Sequence, residues 1–179
     1  AILIRLSLAP PLAIAAYRML FAFLMLAPFS LPPGKEKKSG ALRGRDLLLG
    51  VVSGAFLALH FATWITGVTL TSVASATVLV SMHPVMVLIG SVLILKERPL
   101  PGSVPLILAA LAGTVLLSWG DLRSGSGNIA GNLFALAGAA AMAGYMLLGS
   151  SLRRRVGALQ YNALLYGVAA ALLFPAALL

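Results

Sequence analysis

The stretch Val73–Pro99, VASATVLVSMHPVMVLIGSVLILKERP, decides the fold. Residues 73–95 contain no Asp, Glu, Lys or Arg, and about 20 apolar residues are enough to cross the hydrocarbon core of a bilayer as a helix. Pro84 lies inside this run and has no N–H to give to the carbonyl of Val80. We therefore predict a membrane-spanning helix that is kinked at Pro84, with His83 beside the kink.

The composition of the whole chain is that of a membrane protein. Its 179 residues are 60% hydrophobic and only 9% charged, whereas soluble domains have about 25% charged residues. The mean hydropathy is +1.03. The absence of cysteine excludes disulfides and thiolate metal sites. The sequence thus predicts an all-α polytopic membrane protein.

The apolar runs predict one partial and six complete transmembrane helices. Their approximate bounds are 1–8 (partial), 12–31, 47–66, 73–95, 101–119, 129–152 and 157–179. Glycine or alanine recurs every fourth residue on the third and sixth spans, so another helix can approach each of them closely. These residues are Gly50, Gly54 and Ala58, and Gly131, Ala135, Ala139 and Ala143. Because the chain begins and ends inside apolar runs, we expect it to be a fragment of a longer protein.

The positive charge is concentrated in alternate loops. The loops after the second, fourth and sixth spans hold five, two and three Lys or Arg residues, against two in total in the others. By the positive-inside rule, loops 32–46, 96–100 and 153–156 are predicted to be cytoplasmic. The net charge of +9 is thereby explained by topology and contact with lipid. No aromatic residues accompany the basic clusters as a nucleic-acid surface would require, so we predict no nucleic-acid partner.

Four features occur in order along the first two thirds of the chain. They are PPLAIAAYRMLFAFLMLAP (10–28) with its arginine, SVASATVLVSMHPVMVLI (72–89), the exit LKERP (95–99) and the apolar helix GSVPLILAALAGTVLLSWG (102–120). Together they resemble the EamA-like family of the drug/metabolite transporter superfamily. The resemblance implies two inverted repeats of five helices around a central substrate cavity. Residues 1–120 would then be most of the first repeat, 121–128 the inter-repeat loop, and 129–179 the first two helices of the second.

Polar side chains inside the spans are the candidates for the substrate cavity, because they are costly in lipid and usually face a cavity or a partner. The candidates are Arg18, His60, Trp64, Ser75, Ser81 and His83, with Pro84 as the kink. Arg18 would offer a fixed positive charge to an anionic group such as a carboxylate. Alternatively, it is a structural arginine that bonds backbone carbonyls of a neighbouring helix.

The two histidines also leave two interpretations open. His60 and Trp64 lie one helical turn apart on one face, where they would offer a hydrogen bond, a stacking surface or a titrating group; alternatively, Trp64 is an interfacial anchor and His60 a packing contact. His83 lies beside a carbonyl freed by Pro84, and transporters favour broken helices at their binding sites. The alternative is that Ser81 or His83 only satisfies that carbonyl.

The predicted function is secondary transport. We expect a cell-membrane protein that exports small organic metabolites or drugs by alternating access, with a small-molecule substrate and no cofactor or metal. The chain has no P-loop pattern for direct use of ATP. A membrane-embedded enzyme is disfavoured and no catalytic residue is predicted, because the spans contain two histidines and no acid. A non-transporting membrane subunit or sensor is the alternative.

Overall fold

The structure, a computed structural model, describes residues 2–6, 9–30, 44–117, 119, 123 and 128–178, and every secondary-structure element in this part of the chain is a helix. This confirms the predicted all-α polytopic class. The helices are α1 (Ile2–Leu6), α2 (Pro11–Ser30), α3 (Gly44–Leu70), α4 (Val73–Val80), α5 (His83–Leu93), α6 (Ser103–Leu117), α7 (Ile129–Val156) and α8 (Ala158–Ala177).

Five segments of the described chain are long and apolar enough to cross a membrane. They are α2, α3, the pair α4 and α5 taken together, Ile129–Ser150 of α7, and α8. Helix α6 is also apolar but shorter, with 15 residues. Large hydrophobic side chains such as Met25, Leu93 and Leu106 are about 72–73% exposed on these helices. Such an apolar exterior fits lipid and not water as the surrounding solvent.

Local sequence signals set the helix ends. Ser72 caps α4 by accepting a hydrogen bond from the backbone N–H of Ser75 at 3.0 Å, and Asn128 caps α7 in the same way. Gly157, with φ of 85°, separates α7 from α8 in a conformation that favours glycine. Between α5 and α6 the chain turns through Lys96 (φ 54°) and Gly102 (φ 87°).

Helix α3 lies at the centre of the bundle and contacts α1, α2, α4, α7 and α8. Its contact with α7 is the most extensive, and small residues make it close. A Cβ placed on Gly67 would lie 2.9 Å from the backbone nitrogen of Ala135. On another face, Gly54 approaches the side chain of Val168 on α8. The small-residue faces predicted on the third and sixth spans therefore serve helix packing.

The remaining helices pack around this centre. Helix α2 packs along α8, where the ring of Phe23 covers Gly167. Helices α4 and α5 pack against α7, and α6 contacts α4. The buried core lies among α2, α3, α7 and α8 and includes Leu57, Ile65, Val68, Ala135, Leu152, Tyr161, Leu165 and Ala169.

Candidate functional site

The span 73–93 is interrupted directly before Pro84. Helix α4 ends at Val80, Ser81 and Met82 form a turn, and α5 begins at His83 with Pro84 in its first turn. The missing N–H of proline is tolerated there, since the first turn of a helix has no intrahelical acceptor for it. The sequence predicted a kink at this point, and the structure has two helices in one span.

His83 occupies the polar gap that this interruption creates. Its Nδ1 donates to the carbonyl of Val80 at 2.9 Å, the same carbonyl that Pro84 leaves without a helical partner. The side chain is half-buried. His83 thus satisfies the freed carbonyl, one of the two roles predicted for it, and its ring also lines the cavities described next.

Two cavities lie between α5 and α6 on either side of the interruption. The first, of about 360 Å³, extends from His83 past Ser91 to Glu97 and Ser103. The second, of about 400 Å³, extends from Ser81 and His83 to Thr114. Both volumes are in the range of small-molecule sites. The two cavities share three residues, His83, Pro84 and Ile107.

A second set of side chains lies between α2 and α3 and consists of Arg18, His60, Phe61 and Trp64. We call this set the aromatic cluster. The Cζ atom of Arg18 lies 5.0 Å from the centre of the Phe61 ring and 5.9 Å from that of Trp64. Both distances are within cation–π range. The rings of His60 and Trp64 are stacked, 5.9 Å apart and 7° from parallel. Arg18, His60 and Trp64, predicted separately from the sequence, are therefore neighbours.

His60 fixes the aromatic cluster to α7. Its Nδ1 donates to the carbonyl of Gly138 at 2.8 Å, and its side chain is 6% exposed. Gly138 lets the helices meet there, because a Cβ on it would lie 3.1 Å from the Cβ of Trp64. Helix α3, which carries three residues of the aromatic cluster, also contacts α4. The helix that holds most of the aromatic cluster thus lies beside the interrupted span.

The other predicted residues divide between the cavities and the packing. Ser81 lines the second cavity. Ser75 is buried, receives a hydrogen bond from the Ser72 hydroxyl at 2.9 Å, and is not among the lining residues of either cavity. The described residues contain no group of three or more His, Cys, Asp or Glu side chains that would suit a metal ion.

Sequence reasoning missed two members of the site. Phe61 has the ring closest to Arg18. It directly follows His60 in the sequence, so a search for aromatic residues near His60 would have identified it. Ile107 lines both cavities from α6. Nothing in the sequence distinguishes Ile107 from the other aliphatic residues of that helix.

The N-terminal two thirds of the chain carries the whole site apart from Gly138 and Met146. Residues 1–119 match the family described as the EamA-like transporter family. The chain belongs to that family. Neither a curated protein nor a solved structure matches it.

This EamA-like transporter is a multi-pass membrane protein of the drug/metabolite transporter type. Membership of this family points to transport and not to catalysis. The matched residues include the aromatic cluster, the interrupted span and α6. All seven residues predicted from the sequence for the cavity and the kink therefore belong to the part of the chain that the family defines.

Proposed function

We propose that this EamA-like transporter exports small organic metabolites by alternating access, as a secondary transporter of the cell membrane. The observation that carries the proposal is the interrupted span: it places a histidine and a broken backbone beside two cavities between α5 and α6. Lipid-exposed irregular backbone is costly, and such breaks are tolerated where they line a cavity or contact protein. Discontinuous helices form the substrate sites of many secondary transporters.

In this proposal the substrate binds in a chamber with two walls. The interrupted span forms the first wall and the aromatic cluster forms the second. A guanidinium held over two rings presents charge and flat apolar surface together. That combination suits organic solutes that carry an anionic group on an apolar body. Through His60 the aromatic cluster contacts α7, and α3 contacts α4 of the interrupted span. A solute bound between them would contact elements that move relative to each other during transport.

The helix arrangement supports the inverted repeat. Helices α2 and α8, the second helices of the two proposed repeats, each have 20 residues and a proline at the third position from the end, Pro28 and Pro175. They pack against each other, with the rings of Tyr17 and Phe174 5.5 Å apart. Equivalent elements meet in this way when they lie beside a two-fold axis. In the proposed topology, loops 32–46, 96–100 and 153–156 are cytoplasmic; residues 32–43 lie outside the described part of the chain.

Metabolite profiling tests the proposed function. The full chain is overproduced in cells, and amino acids, nucleobases and vitamins are measured by mass spectrometry in the medium and inside the cells. We expect at least one of these solutes to rise in the medium relative to cells that carry the empty vector. Unchanged profiles, with the protein present in the membrane fraction, would contradict export.

Replacing Arg18 with glutamine is expected to lower export about tenfold, equivalent to about 1.4 kcal/mol of binding or barrier free energy. The reason is loss of the charge above Phe61 and Trp64. Arg18→Lys should retain part of the activity, because an ammonium still forms a cation–π contact but lacks the planar fork. The thermal stability of Arg18→Gln should change little, since Arg18 is exposed.

The matched control for this variant is Arg123→Gln. Arg123 lies over the ring of Trp119 at 5.4 Å, so the same kind of contact is removed outside the proposed chamber. Export should be unchanged in this control. If Arg18→Gln exported as well as the wild type, or if it lost activity only by unfolding, Arg18 would be the structural arginine that the sequence left as the alternative.

A further inference from the structure

His83 lies at the meeting point of the two cavities between α5 and α6. Of the three residues that the cavities share, His83, Pro84 and Ile107, only the histidine can bind a proton. The first cavity extends to Glu97 and the turn 94–102 at one end of α6. The second extends to Thr114, 11 residues beyond Ser103 along α6, or about 16 Å at the rise of an α-helix. His83 therefore lines two cavities that extend in opposite directions along α6.

The hydrogen bond of His83 determines which ring nitrogen is free. The carbonyl of Val80 can only accept, so the Nδ1 atom at 2.9 Å must carry the hydrogen. In the neutral ring the lone pair is then on Nε2, the nitrogen that does not contact the backbone. His60 has the same tautomer, since its Nδ1 donates to the carbonyl of Gly138. His60, however, is 6% exposed and enclosed by the rings of Phe61 and Trp64.

Two charged residues lie at the other end of the first cavity from His83. Glu97 and Arg98 line the first cavity, at the end of the span that is proposed to be cytoplasmic. His60 is the other histidine, on α3, which contacts α4. The residues of α6 that line the two cavities carry no titratable group; they are Ser103, Leu106, Ile107, Ala110, Leu111 and Thr114. Met146 is the lining residue from α7.

We infer that Nε2 of His83 is the site where a coupling proton binds during transport, with Glu97 at the far, cytoplasmic end of the first cavity. The coupling rests on the proposed function; the proton site does not. One proton adds to the Nε2 lone pair from one cavity and leaves through the other, with no covalent bond broken. The added charge strengthens the hydrogen bond from Nδ1 to Val80. Proton binding thus acts directly on the turn between α4 and α5.

Nuclear magnetic resonance of the full chain in lipid nanodiscs tests the proton site without any substrate. The chain contains two histidines, so ¹⁵N-histidine labelling gives two imidazoles, which His60→Asn and His83→Asn assign. Both should have hydrogen on Nδ1 at neutral pH, and the His83 signal should shift as Nε2 is protonated when the pH is lowered. The His60 signal should shift less. A His83 ring that carries its hydrogen on Nε2, or that does not titrate, would overturn the site.

Proteoliposomes test the coupling. The solutes are a mixture of amino acids, nucleobases and vitamins, and a pH gradient of one unit is imposed across the membrane. One proton exchanged per solute should give about tenfold accumulation of the transported solute. In His83→Asn, whose amide still reaches the carbonyl of Val80, solute should move only down its own gradient. For His60→Asn no particular transport rate is expected, but accumulation of the solute should still follow the pH gradient.

The outcomes separate this inference from the proposed function. Wild-type protein that moves solute without regard to the pH gradient, or His83→Asn that still accumulates it, would overturn the coupling and leave transport intact. Wild-type protein that moves no solute would contradict the proposed function, and the resonance titration would still decide whether His83 binds the proton.

Discussion

Replacing Pro84 with alanine is expected to lower transport at least about tenfold while the protein stays as stable as the wild type or becomes more stable. Alanine restores the N–H that the Val80 carbonyl lacks, so the two helices α4 and α5 can join into one. In a single helix that ran through this position, alanine would be more favourable than proline by about 3 kcal/mol. A continuous helix would remove the turn at Ser81 and release His83 from its present hydrogen bond.

The measurement is paired. Solute export and thermal unfolding in detergent are recorded for Pro84→Ala and for Pro105→Ala, a proline in the first turn of α6 where no helical hydrogen bond is missing. Pro105→Ala should behave as the wild type in both. Full transport by a folded Pro84→Ala protein would show that the interruption of the span is not needed for function.

Replacing Gly67 with alanine is expected to lower the free energy of unfolding by about 1–3 kcal/mol, the usual cost of an overpacked interior. The added methyl group would lie 2.9 Å from the backbone nitrogen of Ala135 and 3.0 Å from the carbonyl oxygen of Gly131. Backbone atoms of a helix cannot rotate out of the way as a side chain can. Helices α3 and α7 would have to separate along the most extensive contact in the bundle.

Gly113→Ala is the matched control for this variant. A Cβ on Gly113 meets nothing within 4 Å, so alanine there should raise stability by about 0.5–1 kcal/mol through helix propensity alone. Denaturation in a titration with sodium dodecyl sulfate compares the two variants. Equal effects of both substitutions would contradict the close packing of α3 against α7.

The apolar runs of the sequence were sufficient to predict the helices and the interruption. Lipid requires each span to satisfy its own backbone, so a long uncharged run has few alternatives to a helix. The same rule makes a proline inside such a run informative, because its effect on the carbonyl of Val80 follows from covalent geometry. The span 73–95 and its interruption could therefore be predicted from the sequence. The difference is that one kinked helix was predicted and two helices are present.

The sequence could not predict which helices meet. Gly54 faces α8 and Gly67 faces α7, yet both are glycines on one apolar helix, and small residues mark a close approach without naming the partner. The bond from His60 to the carbonyl of Gly138 joins residues 78 positions apart. Every residue has such a carbonyl, so no side-chain pattern identifies this one. The grouping of Arg18 with His60 and Trp64 likewise depends on how α2 packs on α3.

Solute flux through purified protein tests the central claim most directly. The full chain is reconstituted into liposomes loaded with amino acids, nucleobases and vitamins, and release is followed by mass spectrometry beside protein-free liposomes and Pro84→Ala liposomes. A transporter with its site at the interrupted span should release at least one solute faster than protein-free liposomes, and Pro84→Ala should lose most of that release. Release equal to that of protein-free liposomes for every solute, from protein shown to be folded, would contradict it.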